Sequence, residues 1–261
     1  MQFDYYSASV PATVGHCIHE MKQDFSAGFE ACDGIQRYPQ GVRCLTSGVR
    51  IYSGTSQPLP FVVASSGAAV KFAQFVRRIY PKHKVTRLDA AQDYRQKGAF
   101  DDLVSMIDPI CRDSNVKCMF QGDVHPDQTD GRSMYFGSKD SDVRLLVYEK
   151  GLERIGQGDA KADPDWVRME LRVKFRKEMK VTGATLSPEA LFGRSRWSVK
   201  VSEDVLGKLP EYLPDASLRQ TDTMRSLEHM FKQYGRVIRK AHAEIGEDEI
   251  IRRFLDAAKN A

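Results

Sequence analysis

The stretches VRLLVYEK (143–150) and WVRMELRVKF (166–175) alternate apolar and polar side chains. Successive residues of a β-strand point to opposite faces, so each stretch reads as a strand with one apolar and one polar side. Val143, Leu145 and Val147 share one face of the first, and Arg144, Leu146, Tyr148 and Lys150 share the other. In the second, Val167, Met169, Leu171, Val173 and Phe175 face one way, and Trp166, Arg168, Glu170, Arg172 and Lys174 the other. Half-buried strands of this kind belong to an antiparallel sheet with one covered face and one open face.

The remaining patterns fit such a sheet. FDYYSASV has strand composition, and Pro11 then opens a helical stretch, ATVGHCIHEMKQDF. VRCLTSG and VRIYSG read as short strands joined at Gly48. In SSGAAVKFAQFVRRIY, a serine cap precedes Val70, Phe72, Phe75, Val76 and Ile79 at helical spacing, and Pro81 ends the run. KVTRLDAAQDY reads as a strand, AFDDLVSMIDPICRD as a helix interrupted near Pro109, and VKCMFQGD and RSMYFGS as strands leading into the two opening stretches. The order predicts an α+β fold: a mainly antiparallel sheet core with packed helices. After Ser187 the composition turns helical. MRSLEHMFKQYGRVIRKAHAEIG places Met224, Leu227, Phe231, Tyr234, Ile238, Ala241 and Ile245 on one stripe, with Gly246 as a C-cap. The expected division is 1–182 for an α+β domain and 183–261 for a mostly helical C-terminal subdomain.

The chain has 261 residues, of which 41% are hydrophobic and 28% charged, the profile of an ordinary globular protein. It contains no run of about 18 apolar residues of the kind that spans a bilayer. Its N-terminus lacks the basic and apolar segments of a signal peptide, so a cytoplasmic location without membrane association is expected. Five cysteines, an odd number without a CxxC pair, predict buried free thiols rather than disulfides or a zinc site. A net charge of +4 permits a polyanionic partner.

Chemistry concentrates on the polar strand faces. Tyr148 shares its face with Arg144 and Lys150, Glu170 sits among Arg168, Arg172 and Lys174, and VTRLDAAQDY adds Arg87, Asp89 and Asp93 on one face. These are either solvated faces or a surface for phosphodiesters and a divalent cation, since carboxylates are hard oxygen ligands and guanidinium forks suit phosphate. Asp89 and Asp93 lie about 13 Å apart along a regular strand, so both bind one metal only if the strand bends or bulges. Tyr135 is the competing phenol, read as structural because its strand carries fewer cations. GRSRWSVK offers Arg194, Arg196 and Trp197 either to DNA phosphates and bases or as a solvated basic loop with one anchoring tryptophan. The two histidines of HCIHE read as two positions on one helix face. His125, with Asp123, Asp127 and Asp130, falls in a turn-rich loop that lacks EF-hand order.

Taken together, TRLDAAQDY, YFGSKDSDVRLLVYEKGLE and WVRMELRVK resemble the replication initiation factors of the Rep_trans type, which include rolling-circle initiators of plasmids and filamentous-phage replication proteins. The resemblance spans Thr86 to about Lys174. It implies that Tyr148, in the family's tyrosine-x-lysine context, nicks an origin by attacking a phosphodiester, forming a 5′-phosphotyrosyl link and a free 3′-hydroxyl, and later rejoins the strand. Lys150 and Arg144 would assist, with Leu146 standing where the family often has arginine. Asp89, Asp93 and Glu170 would hold Mg²⁺ or Mn²⁺, with Arg172 in place of a second glutamate, and Arg87, Arg168, Arg172 and Lys174 would contact DNA. Host helicase and polymerase and a homodimer are the partners implied. The alternative is a non-catalytic, sequence-specific DNA-binding protein or repressor.

Overall fold

The computed structural model describes residues 1–25, 28–54, 57–122, 131–214 and 222–259. They fall into two compact units, Met1–Asp215 and Ala216–Ala261. The first unit is built on one antiparallel sheet of ten strands: β1 (Gln2–Ser9), β2 (Phe29–Ile35), β3 (Tyr38–Cys44), β4 (Arg50–Gly54), β5 (Gln57–Ser65), β6 (Lys84–Tyr94), β7 (Cys118–Gln121), β8 (Ser133–Phe136), β9 (Val143–Tyr148) and β10 (Val167–Lys174). Their spatial order is β2-β3-β4-β5-β1-β6-β10-β9-β8-β7. Chain neighbours pair at both ends of the sheet, whereas β1, β6 and β10 come together at its centre from distant parts of the sequence. The helices of this unit are α1 (Val14–Phe25), α2 (Gly67–Ile79), α3 (Ala99–Asp113), α4 (Lys150–Gly156), α5 (Met179–Thr182) and α6 (Arg196–Leu206).

The expected alternation sorts the central strands as predicted. Leu88 and Ala90 of β6, Met169, Leu171 and Val173 of β10, and Leu145 and Val147 of β9 are buried. They form one cluster with Met21 of α1, Phe72 and Val76 of α2, Phe100, Leu103 and Ile107 of α3, and Val201 of α6. Burying such side chains contributes about 1.5–3 kcal/mol each, which is what holds the helices to this face. The boundary expected at 183 lies inside the first unit, because Leu191, Phe192 and Val201 belong to its core. Beneath α2, the Tyr6 hydroxyl meets His83 Nε2 at 2.6 Å and His83 Nδ1 meets the Tyr80 carbonyl at 2.7 Å. A carbonyl only accepts, so the ring proton sits on Nδ1 and Tyr6 donates.

Three local expectations change. Helix α3 runs unbroken through Pro109. Ser105 and Pro109 face solvent, while Phe100, Leu103 and Ile107 are buried; three such burials outweigh the roughly 3 kcal/mol cost of an interior proline. Ser66 does not cap α2 with its side chain; it adopts a left-handed φ of 54°. Strand β9 ends at Tyr148, and Lys150 opens α4 instead of continuing the strand face. Gly151 permits this sharp change: its N–H donates to the Trp166 carbonyl at 2.8 Å, and a Cβ there would lie 1.8 Å from the Asp163 carbonyl oxygen. Of the thiols, Cys17, Cys44 and Cys111 are buried and Cys118 is exposed on β7, all unbridged.

The second unit contains α7 (Asp222–Ile245) and α8 (Glu247–Lys259), separated by Gly246 at φ 80°, the left-handed cap expected there. Among the described residues no helix is long and apolar enough to cross a membrane.

Candidate active site on the open face of the sheet

The register of the three central strands assembles the polar face row by row. Asp89 pairs across to Arg172 and Arg172 to Arg144; Ala91 pairs to Glu170 and Glu170 to Leu146; Asp93 pairs to Arg168 and Arg168 to Tyr148. The small Ala91 leaves space beside Glu170. Two separate ionic groups result.

In the first group, Arg87 forks onto Asp89, with Nε 2.8 Å from Oδ1. Arg172 Nε donates to Glu170 Oε1 at 2.7 Å and lies 3.9 Å from Asp89 Oδ2. The Tyr148 hydroxyl donates to Glu170 Oε2 at 3.4 Å. Asp89, Glu170 and Tyr148 are only 1%, 4% and 8% exposed although they lie on the open face, so the cation side chains beside them act as their cover. Burial, reinforced by the charge of Glu170 against the pull of Arg87, pushes the Asp89 carboxyl up to about 7. Burial likewise raises the Tyr148 phenol far above its ordinary value, with Glu170 adding to the effect and Arg168 opposing it. The phenol is thus held protonated.

In the second group, both Asp93 oxygens are taken: Arg168 donates to them at 2.7 and 3.0 Å, and Trp166 Nε1 donates to Oδ1 at 2.9 Å. These bonds hold the Asp93 carboxyl below its usual range although burial opposes them. Arg168 also reaches Asp4 at 2.7 Å. The β6–β10 register is regular from Arg87 to Tyr94, so no bulge brings Asp93 toward Asp89. Among the described residues no group of three or more His, Cys, Asp or Glu is arranged to hold a metal. Asp89 and Glu170 remain as two adjacent buried carboxylates served by two guanidinium groups. That donor set fits Mg²⁺ or Mn²⁺, ions often held by one or two carboxylates with water and substrate phosphate completing the shell. Asp93 does not fit.

The other predicted residues divide clearly. Lys150 lies 5.4 Å from the centre of the Tyr148 ring and bonds Glu153 at 2.6 Å. Arg144 does not reach Tyr148: its guanidinium covers the Tyr135 ring at 4.1 Å. Lys174 donates to the Lys139 carbonyl at 3.0 Å from a half-buried position. Arg194 is 7% exposed and donates to the Leu213 carbonyl at 2.6 Å, so it braces the interior rather than facing DNA. Arg196 is exposed near the Tyr212 ring, and Trp197 is half-buried against the core. His125, Asp123, Asp127 and Asp130 lie outside the described residues.

Sequence reasoning missed Asp4, Tyr5 and Arg132. Asp4 reaches Arg168 because a register shift between Phe3 and Tyr5 breaks the alternation of β1; an acid within an aromatic strand was its only signal. Tyr5 carries Arg87 over its ring at 4.5 Å. Arg132 bonds both Asp101 of α3 and Glu149, the residue after Tyr148. A cleft of about 400 Å³ opens beside Tyr148, between β7–β9 and α4.

Residues 83–192 match the family described as replication initiation factor. The solved structure of a rolling circle replication initiator protein from Geobacillus stearothermophilus superposes with a TM-score of 0.52 at 16% identity, covering 80% of this chain and 91% of that one. The resemblance read from the sequence holds over the matched segment, and the fold is shared with that initiator. No curated protein matches the chain.

Proposed function

We propose that this protein is a rolling-circle replication initiator that binds an origin and nicks one strand with Tyr148. The observation that carries the proposal is the buried Tyr148–Glu170–Asp89 group with its guanidinium cover, set within the segment that matches replication initiation factors. In the nicking step the Tyr148 oxygen attacks phosphorus, its proton passes to Glu170, and the bond from phosphorus to the 3′-oxygen breaks. The products are a 5′-phosphotyrosyl link and a 3′-oxygen that takes a proton from solvent to become the hydroxyl a polymerase extends. Arg172 and Lys150 turn from their present carboxylates to the non-bridging phosphate oxygens, replacing one anion with another. A Mg²⁺ or Mn²⁺ held by Asp89 and Glu170 would supply further charge stabilisation at the phosphate. Rejoining reverses the step, with a 3′-hydroxyl displacing Tyr148. Origin DNA is the primary partner, host helicase and polymerase follow from the role, and a homodimer is the expected assembly.

The test is incubation with supercoiled DNA carrying the cognate origin and Mg²⁺ or Mn²⁺. Wild type should yield open circles with a covalent adduct that peptide mass spectrometry places on Tyr148, and Tyr148→Phe should yield neither. An adduct on Tyr135 overturns the choice of nucleophile. Binding without any nicking by wild type leaves the non-catalytic DNA-binding reading in its place.

A further inference from the structure

Nicking by Tyr148 needs a phosphate at the phenol, yet the cleft beside it is larger than a phosphate requires and is lined differently. Its volume of about 400 Å³ falls within the roughly 300–1,000 Å³ of sites that enclose a small molecule. Tyr148 and Arg172 stand at one side, Tyr135 and Leu146 supply aromatic and apolar surface, and Gln121 and Ser133 supply polar groups. Glu149 and Glu153 are also in its walls, which disfavours a second phosphate inside it. We propose that this cleft receives one unstacked base of the DNA strand whose adjacent phosphate Tyr148 attacks, with Tyr135 as the stacking platform; the inference rests on the nicking reading above.

Three features support a base as the occupant. The Arg144 guanidinium lies 4.1 Å from the Tyr135 ring but does not line the cleft, so it backs the ring and fixes its plane. A fixed aromatic face accepts any base by stacking. The Tyr135 hydroxyl donates to Gln121 Oε1 at 3.4 Å, which orients the Gln121 amide so that its NH₂ group is available to a base edge. Arg132 ties the cleft wall to α3 through Asp101 and to the end of β9 through Glu149. A cleft of this kind takes an extruded or single-stranded nucleotide and excludes a paired one.

The experiment is an NMR titration of backbone amides in the full metal-free chain with the four deoxynucleoside 5′-monophosphates and with abasic 2-deoxyribose 5-phosphate. The expected result is a shift of the Gln121, Ser133 and Tyr135 amides by the nucleotides, with binding at least about tenfold weaker for the abasic compound. Tyr135→Leu should weaken nucleotide binding about tenfold, Tyr135→Phe should restore it, and Gln121→Ala should change the ranking of the four bases. Equal binding of the abasic compound overturns the proposal, as does unchanged affinity in a folded Tyr135→Leu chain; if that variant unfolds, the wild-type abasic comparison decides alone. These titrations involve no cleavage. A chain that nicks but ignores the base refutes the pocket alone, and one that binds the base but never nicks refutes the reading of Tyr148 as nucleophile.

Discussion

Tyr6 and His83 satisfy each other in a site with no solvent to replace either partner. Removing the hydroxyl in Tyr6→Phe leaves His83 Nε2 buried without a donor, which should cost about 1–3 kcal/mol in urea unfolding. Burial lowers the His83 pKa below its unfolded value near 6.5, so the unfolded chain binds the extra proton. This contribution to stability is present above about pH 6.5 and is lost as pH falls through the folded pKa; the urea midpoint should drop over that window, and less so in His83→Gln. At the proposed centre, Asp89→Ala and Glu170→Ala should each reduce nicking at least about a hundredfold while DNA affinity in a filter or anisotropy assay stays within about threefold of wild type. Equal loss of both would argue against ligand roles. Strand alternation placed Tyr148 and Glu170 on one face correctly. It could not show that Arg144 covers Tyr135, because the ring a long side chain reaches is set by cross-strand neighbours, here the like-charged Arg172 opposite Arg144.

At the scale of elements, the junction between β9 and α4 governs how Tyr148 is presented. Gly151 lies against the Asp163 carbonyl, and Arg132 clamps Glu149 on the other side. Gly151→Ala forces that backbone apart and should destabilise the fold by about 1–3 kcal/mol, or roughly 2–4 °C of Tm per kcal/mol in a domain of this size, measured by calorimetry. The sequence shows lysine two residues after tyrosine, which on a continuing strand would share its face. The chain turns instead, and Lys150 approaches the Tyr148 ring from a helix. Pro109 misled for a related reason: a local breaker was weighed without the buried stripe that overrides it. Strands β2 and β5 carried weaker signals, since Gly34 interrupts one and Pro58 and Pro60 punctuate the other.

At the scale of the whole molecule, the α+β class and the antiparallel sheet were legible in the order of patterned segments, whereas strand neighbours were not. Nothing local in FDYYSASV says that it lies between β5 and β6. Met1–Asp215 holds the sheet, its helices and the proposed centre, so a chain ending at 215 should melt in one cooperative transition close to that of the full chain, as read by circular dichroism. A shift of more than about 10 °C would show that the later residues help hold the sheet together. The central pairing also orders events during synthesis. The first strand made waits beside no partner until β5 and β6 emerge, and Asp89 waits for Glu170 until β10 follows. A nascent chain that ends between Tyr148 and Glu170 therefore carries the phenol without its carboxylate neighbour, and on the proposed mechanism it should leave origin DNA uncut.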